Sequence, residues 1–186
     1  MLFSMKIPNL LTLLRIFLIP VFVAIYYMPG AWSPWVAAAI FGLAALTDWL
    51  DGYLARRLDQ QSPFGAFLDP VADKLMVAAA LVILVETYAT PMITIPAVII
   101  IGREIVISAL REWMAEIGER TRVSVSMIGK VKTTLQMVSI LVLIAVAPFS
   151  MLSWVGILTL YGAALLTLWS MYIYLRAAWP LLIDDI

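Results

Sequence analysis

The sequence contains no cysteine and no histidine. Without cysteine there is no disulfide framework, no thiolate metal site and no thiol nucleophile. Without histidine, the usual general base and the commonest transition-metal ligand are both missing. Charge is scarce as well: Asp, Glu, Lys and Arg make up 13% of the 186 residues, about half their share in soluble domains. Acidic and basic residues balance at 12 each, so net charge selects no partner. Any acid–base or metal chemistry must therefore run on Asp and Glu, which favours hard, oxygen-seeking cations such as Mg2+ or Mn2+.

What the chain does have is apolar surface. Hydrophobic residues make up 64% of it and mean hydropathy is +1.02, a surplus for which a bilayer is the obvious sink. The length suits one domain, 1–186, read here as an all-α, polytopic membrane protein. A membrane-spanning helix needs about 20 mainly apolar residues. Six runs qualify, at about 9–28, 34–57, 70–88, 92–113, 129–147 and 153–177. Residues 1–8 carry one charge, Lys6, and the apolar run that follows holds Arg15 and no small-residue cleavage site. They read as a retained amphipathic lead rather than a signal peptide. Pro29-Gly30, Thr90-Pro91 and Pro148 mark short uncharged turns.

Charge placement tests this topology. With six spans, both termini and the 58–69 and 114–128 loops share one side. All 12 basic residues lie there or in the nearest helix ends: Lys6, Arg15, Arg56, Arg57, Lys74, Arg103, Arg111, Arg120, Arg122, Lys130, Lys132 and Arg176. The other side receives none, and Glu86 alone among the acids. Excess Lys and Arg mark the cytoplasmic side. Both termini, and any polar chemistry, are expected at the cytoplasmic face of the membrane.

The second run is apolar from Trp35 to Leu46, too short to cross, so the helix must continue through Asp48, Asp51 and Arg56. At about 100° per residue, Asp48, Asp51, Gly52 and Ala55 share one stripe. The third helix is expected to open with Asp69 as N-cap and Pro70 at the first helical position, placing Asp69 and Asp73 on one face. As caps and interface charges these Asp residues would be expensive: an unpaired charge in a membrane helix costs at least about 2.5 kcal/mol on insertion scales. Crowded carboxylates also repel one another unless cations neutralise them. Four Asp on two facing stripes suit two divalent cations about 3.5–4 Å apart, the arrangement used in phosphoryl displacement. Gly52 and Ala55 either leave room for a substrate or serve close helix packing. Arg56 either forks onto a phosphate or snorkels to lipid headgroups.

The pattern Asp48-x2-Asp51-Gly52-x2-Ala55-Arg56-x8-Gly65-x3-Asp69-x3-Asp73 resembles the signature of the CDP-alcohol phosphotransferase family, with all eight specified residues in place. The resemblance implies six transmembrane helices, a homodimer, and two divalent metals on Asp48, Asp51, Asp69 and Asp73. It also implies that Asp73 is the general base and that Gly52, Ala55, Arg56 and Gly65 cradle the CDP group. The opening Pro8-Asn9-x2-Thr12-x2-Arg15 resembles the family's N-terminal motif, which adds Asn9 and Thr12 to the CDP-binding set; a helix start explains Asn9 equally well.

The acceptor is read from a second cluster. Arg103 and Arg111 are eight apart and lie within about 80° on one helix face, while Lys130 and Lys132 open the fifth helix. Arg103 lies inside a span, where it needs solvation or a partner such as Glu104. These four basic residues form the expected acceptor-phosphate site. Arg103-Glu104-x5-Leu110-Arg111-Glu112 with Gly129-Lys130-Val131-Lys132-Thr133 resembles the family members that use CDP-diacylglycerol and sn-glycerol 3-phosphate and release CMP. Two alternatives stay open. One is the same chemistry with serine, an inositol phosphate or phosphatidylglycerol as acceptor. The other is a divalent-cation transporter, although transport sites usually lie near the midplane between matching halves.

Overall fold

The computed structural model describes residues 7–57, 63–118 and 127–184. These form α1 (Ile7–Tyr26), α2 (Ser33–Arg57), α3 (Pro63–Tyr88), α4 (Pro91–Glu116), α5 (Met127–Ala145) and α6 (Met151–Asp184), with no strand among the described residues. Residues 1–6, most of the expected N-terminal lead, lie outside the described residues. The α-helical membrane class follows from apolarity. Asn9–Tyr26, Pro91–Glu116 and Met151–Pro180 are long and apolar enough to cross a bilayer, while α2 and α5 hold shorter apolar stretches, Ser33–Asp48 and Val131–Ala145.

The helices pack as a closed ring: α1 on α2, α2 on α5, α5 on α6, α6 on α4, α4 on α3, and α3 back on α1. Apolar packing concentrates toward one end of this ring, where Phe22, Phe41, Leu81, Leu84, Ile93, Ile140 and Leu160 are almost wholly buried. Burying one such side chain contributes about 1.5–3 kcal/mol relative to leaving it in water. Small residues set the closest approaches. A Cβ on Gly156 would come within 2.8 Å of the buried Leu143 side chain, and Ser139 Oγ of α5 donates to the Gly156 carbonyl at 2.7 Å. Outward-facing Val82, Val98, Leu158 and Leu165 are exposed, as expected of surfaces that meet lipid rather than water.

The turns at this end are tight. Ala89 takes a left-handed conformation (φ 45°), and Thr90 then caps α4, its side chain accepting from Met92 N, with Pro91 opening the helix. Phe149 (φ 61°) turns the chain between α5 and α6 and packs edge-on to Tyr88, with ring centroids 5.5 Å apart.

Two expected boundaries move. Helix α3 starts at Pro63, so Asp69 is not an N-cap and Pro70 lies inside the helix. The reason is local. Pro63 already supplies a favourable first-turn residue, and residues 64–68 contain no breaker strong enough to stop a helix. Pro70 removes one backbone donor without ending the helix. Helix α6 runs past the expected end at residue 177 to Asp184, 34 residues in all. That is about 50 Å, longer than a hydrocarbon core of about 30 Å.

Candidate active site

Helix α1 turns its polar residues inward. Leu10, Leu14 and Phe17 are exposed, whereas Thr12 and Arg15 are buried. Both reach carboxylates of the expected site. Thr12 Oγ1 donates to Asp69 Oδ1, and Arg15 Nη1 donates to Asp48 Oδ1 at 2.6 Å. The pair is lopsided: Arg15 is 1% exposed and Asp48 43%, so the guanidinium lies inside the protein and the carboxylate faces open space. Helix α2 remains helical through Arg57, as the shortness of its apolar stretch requires. Asp51, Gly52, Ala55 and Arg56 ride on its last turns, but their side chains lie outside the described residues, as does that of Lys130. Gly65 is buried near the start of α3.

A cavity of about 850 Å3 opens among α2, α3, α4 and α5. Asp48 and Asp73 line one side and Glu104, Ser108 and Glu112 another, with Thr133, Thr134 and Gln136 from α5 and an apolar wall that includes Leu75, Val77, Ile100 and Ile105. Asp73 lies within electrostatic reach of Asp48, Arg15, Glu104 and Lys74. Lys74 also lines the cavity and donates to Ser108 Oγ; the Ser108 hydroxyl donates to the Glu104 carbonyl at 2.6 Å.

Within the basic cluster each described residue has its own partners. Arg103 is buried, donating from Nη1 to Glu104 Oε1 at 2.6 Å and from Nη2 to Ser170 Oγ at 3.0 Å. Buried Lys132 approaches the same Glu104 oxygen at 3.6 Å. Arg111 is exposed, two helical turns further along α4. It donates to Tyr174 OH at 2.7 Å and stands 5.0 Å over that ring, a favourable cation–π distance. Arg103 and Lys132 thus converge on one carboxylate, while Arg111 is held by α6. The pairing of Arg103 with Glu104 agrees with the sequence reading. Ser108, Ser170 and Tyr174 went unnoticed in the sequence; the available signal was a polar residue inside a membrane helix, which needs a partner.

The family model of CDP-alcohol phosphatidyltransferase matches residues 5–174. The chain belongs to that family. Its relatives agree over almost their full length. A Shigella flexneri serotype 5b protein named CDP-diacylglycerol–glycerol-3-phosphate 3-phosphatidyltransferase is 57% identical over 97% of this chain and 98% of its own. Proteins of the same name from Salmonella paratyphi A and Escherichia coli K12 are each 56% identical over the same shares.

CDP-alcohol phosphatidyltransferases depend on divalent cations. The donors available here fit such ions in kind, being carboxylate oxygens in a chain with no Cys or His. Asp48 already takes one cationic contact, from Arg15 on Oδ1. Among the described residues no three acidic side chains gather tightly enough to hold one ion; the side chain of Asp51, another member of the expected set, is not among those described.

Proposed function

We infer that the chain transfers a phosphatidyl group from CDP-diacylglycerol to sn-glycerol 3-phosphate, giving phosphatidylglycerophosphate and CMP. The supporting observation is a single cavity with Asp48 and Asp73 on one side and Glu104, backed by Arg103 and Lys132, on the other. It occurs in a chain 57% identical, over 97% of its length, to a protein named for that reaction. Asp48, Asp51, Asp69 and Asp73 would hold two divalent cations, Mg2+ or Mn2+, which when bound neutralise the pyrophosphate charge and stabilise the departing CMP.

The chain's own residues account for the remainder. Asp73 accepts the proton of an acceptor hydroxyl. The hydroxyl oxygen bonds to the lipid-side phosphorus as the bond from that phosphorus to the CMP oxygen breaks. Gly52, Ala55, Arg56 and Gly65, with Asn9 and Thr12, hold the CDP group. Arg103, Arg111, Lys130 and Lys132 form the acceptor-phosphate side. The apolar wall, with Leu75 and Ile105 exposed to the surrounding lipid, admits acyl chains directly from the bilayer. In this reading all six helices span the inner membrane, the termini and site face the cytoplasm, and the protein is a homodimer.

The test is CMP release by purified protein in detergent with CDP-diacylglycerol and Mg2+, each candidate acceptor being added in turn. Turnover with sn-glycerol 3-phosphate alone, abolished in Asp73→Asn, is the expected result. Turnover with serine instead would keep the family chemistry and remove the acceptor assignment.

A further inference from the structure

Arg103 and Lys132 are the buried cations of the acceptor side, yet neither lines the cavity. Glu104 does. Its carboxylate takes 2.6 Å and 3.6 Å contacts from the two cations on one oxygen. Arg103 is also anchored from behind by Ser170, and its Nε is buried with no hydrogen-bond partner among the described residues. Glu104 of α4 and Lys132 of α5 meet through their side chains. The cations are thus held in place, one of them with a donor to spare, behind a carboxylate.

From this geometry we propose that Glu104 is an acceptor-selecting residue: it covers the Arg103–Lys132 pair until a phosphate dianion displaces it. The proposal rests on the reading of a phosphorylated acceptor given above. The physical basis is a competition for the same two cations. A phosphate carries up to two negative charges and three strong acceptor oxygens, whereas the resident carboxylate carries one charge and already has its partners. A phosphate dianion gains enough from both cations to move Glu104 aside. A neutral or singly charged acceptor does not, and meets a carboxylate that repels anions instead.

The variant to make is Glu104→Gln, which keeps the shape and removes the charge. Binding of sn-glycerol 3-phosphate, inorganic phosphate and CDP is measured by calorimetry on the full chain in neutral detergent, with Arg103→Gln in parallel. Removing the resident anion should tighten glycerol 3-phosphate and inorganic phosphate by about tenfold, the scale of one charge-assisted contact, and leave CDP unchanged. Arg103→Gln should weaken both phosphates. Weaker phosphate binding in Glu104→Gln, with Arg103→Gln behaving as expected, would overturn the proposal and make Glu104 a residue that orients Arg103. Tighter CDP binding without tighter glycerol 3-phosphate would also overturn it, placing the cations on the donor side. If Arg103→Gln changes nothing, the phosphorylated-acceptor reading itself fails. Should Glu104→Gln not run as a monodisperse species, Glu104→Asp, one methylene shorter and unable to reach Lys132, should shift phosphate binding the same way by a smaller factor.

Discussion

At the end of the bundle where α1, α3 and α5 finish, the chain turns through short uncharged loops, and apolar and aromatic side chains fill the interior. The polar contacts there are peripheral: Tyr27 OH donates to exposed Glu86, and Tyr26 and Thr87 hydroxyls meet at 2.9 Å. At the opposite end the arrangement inverts. Arg15, Arg103 and Lys132 are buried and each is matched to a carboxylate, while Leu10, Leu14 and Phe17 face outward. The first end is held by packing, which is non-directional and tolerant. The second is held by charge pairs, in which removing one partner strands the other. Replacing such pairs by apolar packing is often neutral or stabilising, so their retention at one end supports the proposal that the site lies there.

Substitutions at the two ends should separate these roles. The largest effect is expected at Asp73: Asp73→Asn should lower CMP release by about a thousandfold, within the range for losing a general base, while detergent-solubilised thermal stability changes little. Next, Arg103→Gln should raise the KM for sn-glycerol 3-phosphate by about ten- to a hundredfold, the cost of a lost charged hydrogen bond. Arg111→Gln, at an exposed site, should have a smaller effect, and equal shifts would remove the distinction drawn between them. Arg15→Gln strands Asp48 and should cost about 1–2 kcal/mol in chemical unfolding, less than for a fully enclosed pair because Asp48 is 43% exposed. Gly156→Ala, in the packed end, should cost about 1–3 kcal/mol through its clash with Leu143 and leave KM alone. Smallest of all, Tyr27→Phe should change stability by under about 1 kcal/mol and activity not at all.

The case for the candidate site can be made before any coordinates. Four Asp in a membrane helix pair are expensive enough to demand an explanation, and the stripe on α2 follows from helical periodicity alone. Arg103 needed a partner, and its neighbour Glu104 is that partner. Less legible was the start of α3. Asp69-Pro70 satisfies the rules for a helix N-terminus, but Pro63 satisfies them too and lies earlier, so propensity could not choose between them. Arg15 illustrates a second limit. Its place in the N-terminal motif was visible, yet the contact with Asp48 depends on how α1 crosses α2. Arg103 and Arg111 illustrate a third. Sharing a helix face placed them together in sequence, and α6 meets both, but Arg111 is exposed on Tyr174 while Arg103 is buried between Ser170 and Glu104.

By itself the sequence determined the solvent of this protein, its all-α class, its family and the kind of chemistry its residues can perform. These depend on composition, on period and on spacing within single helices, all of which are local. Tertiary structure alone decided which distant groups meet. Arg15 with Asp48 and Arg103 with Ser170 lie 33 and 67 positions apart, and only the packing of helices against one another brings such groups within hydrogen-bonding distance.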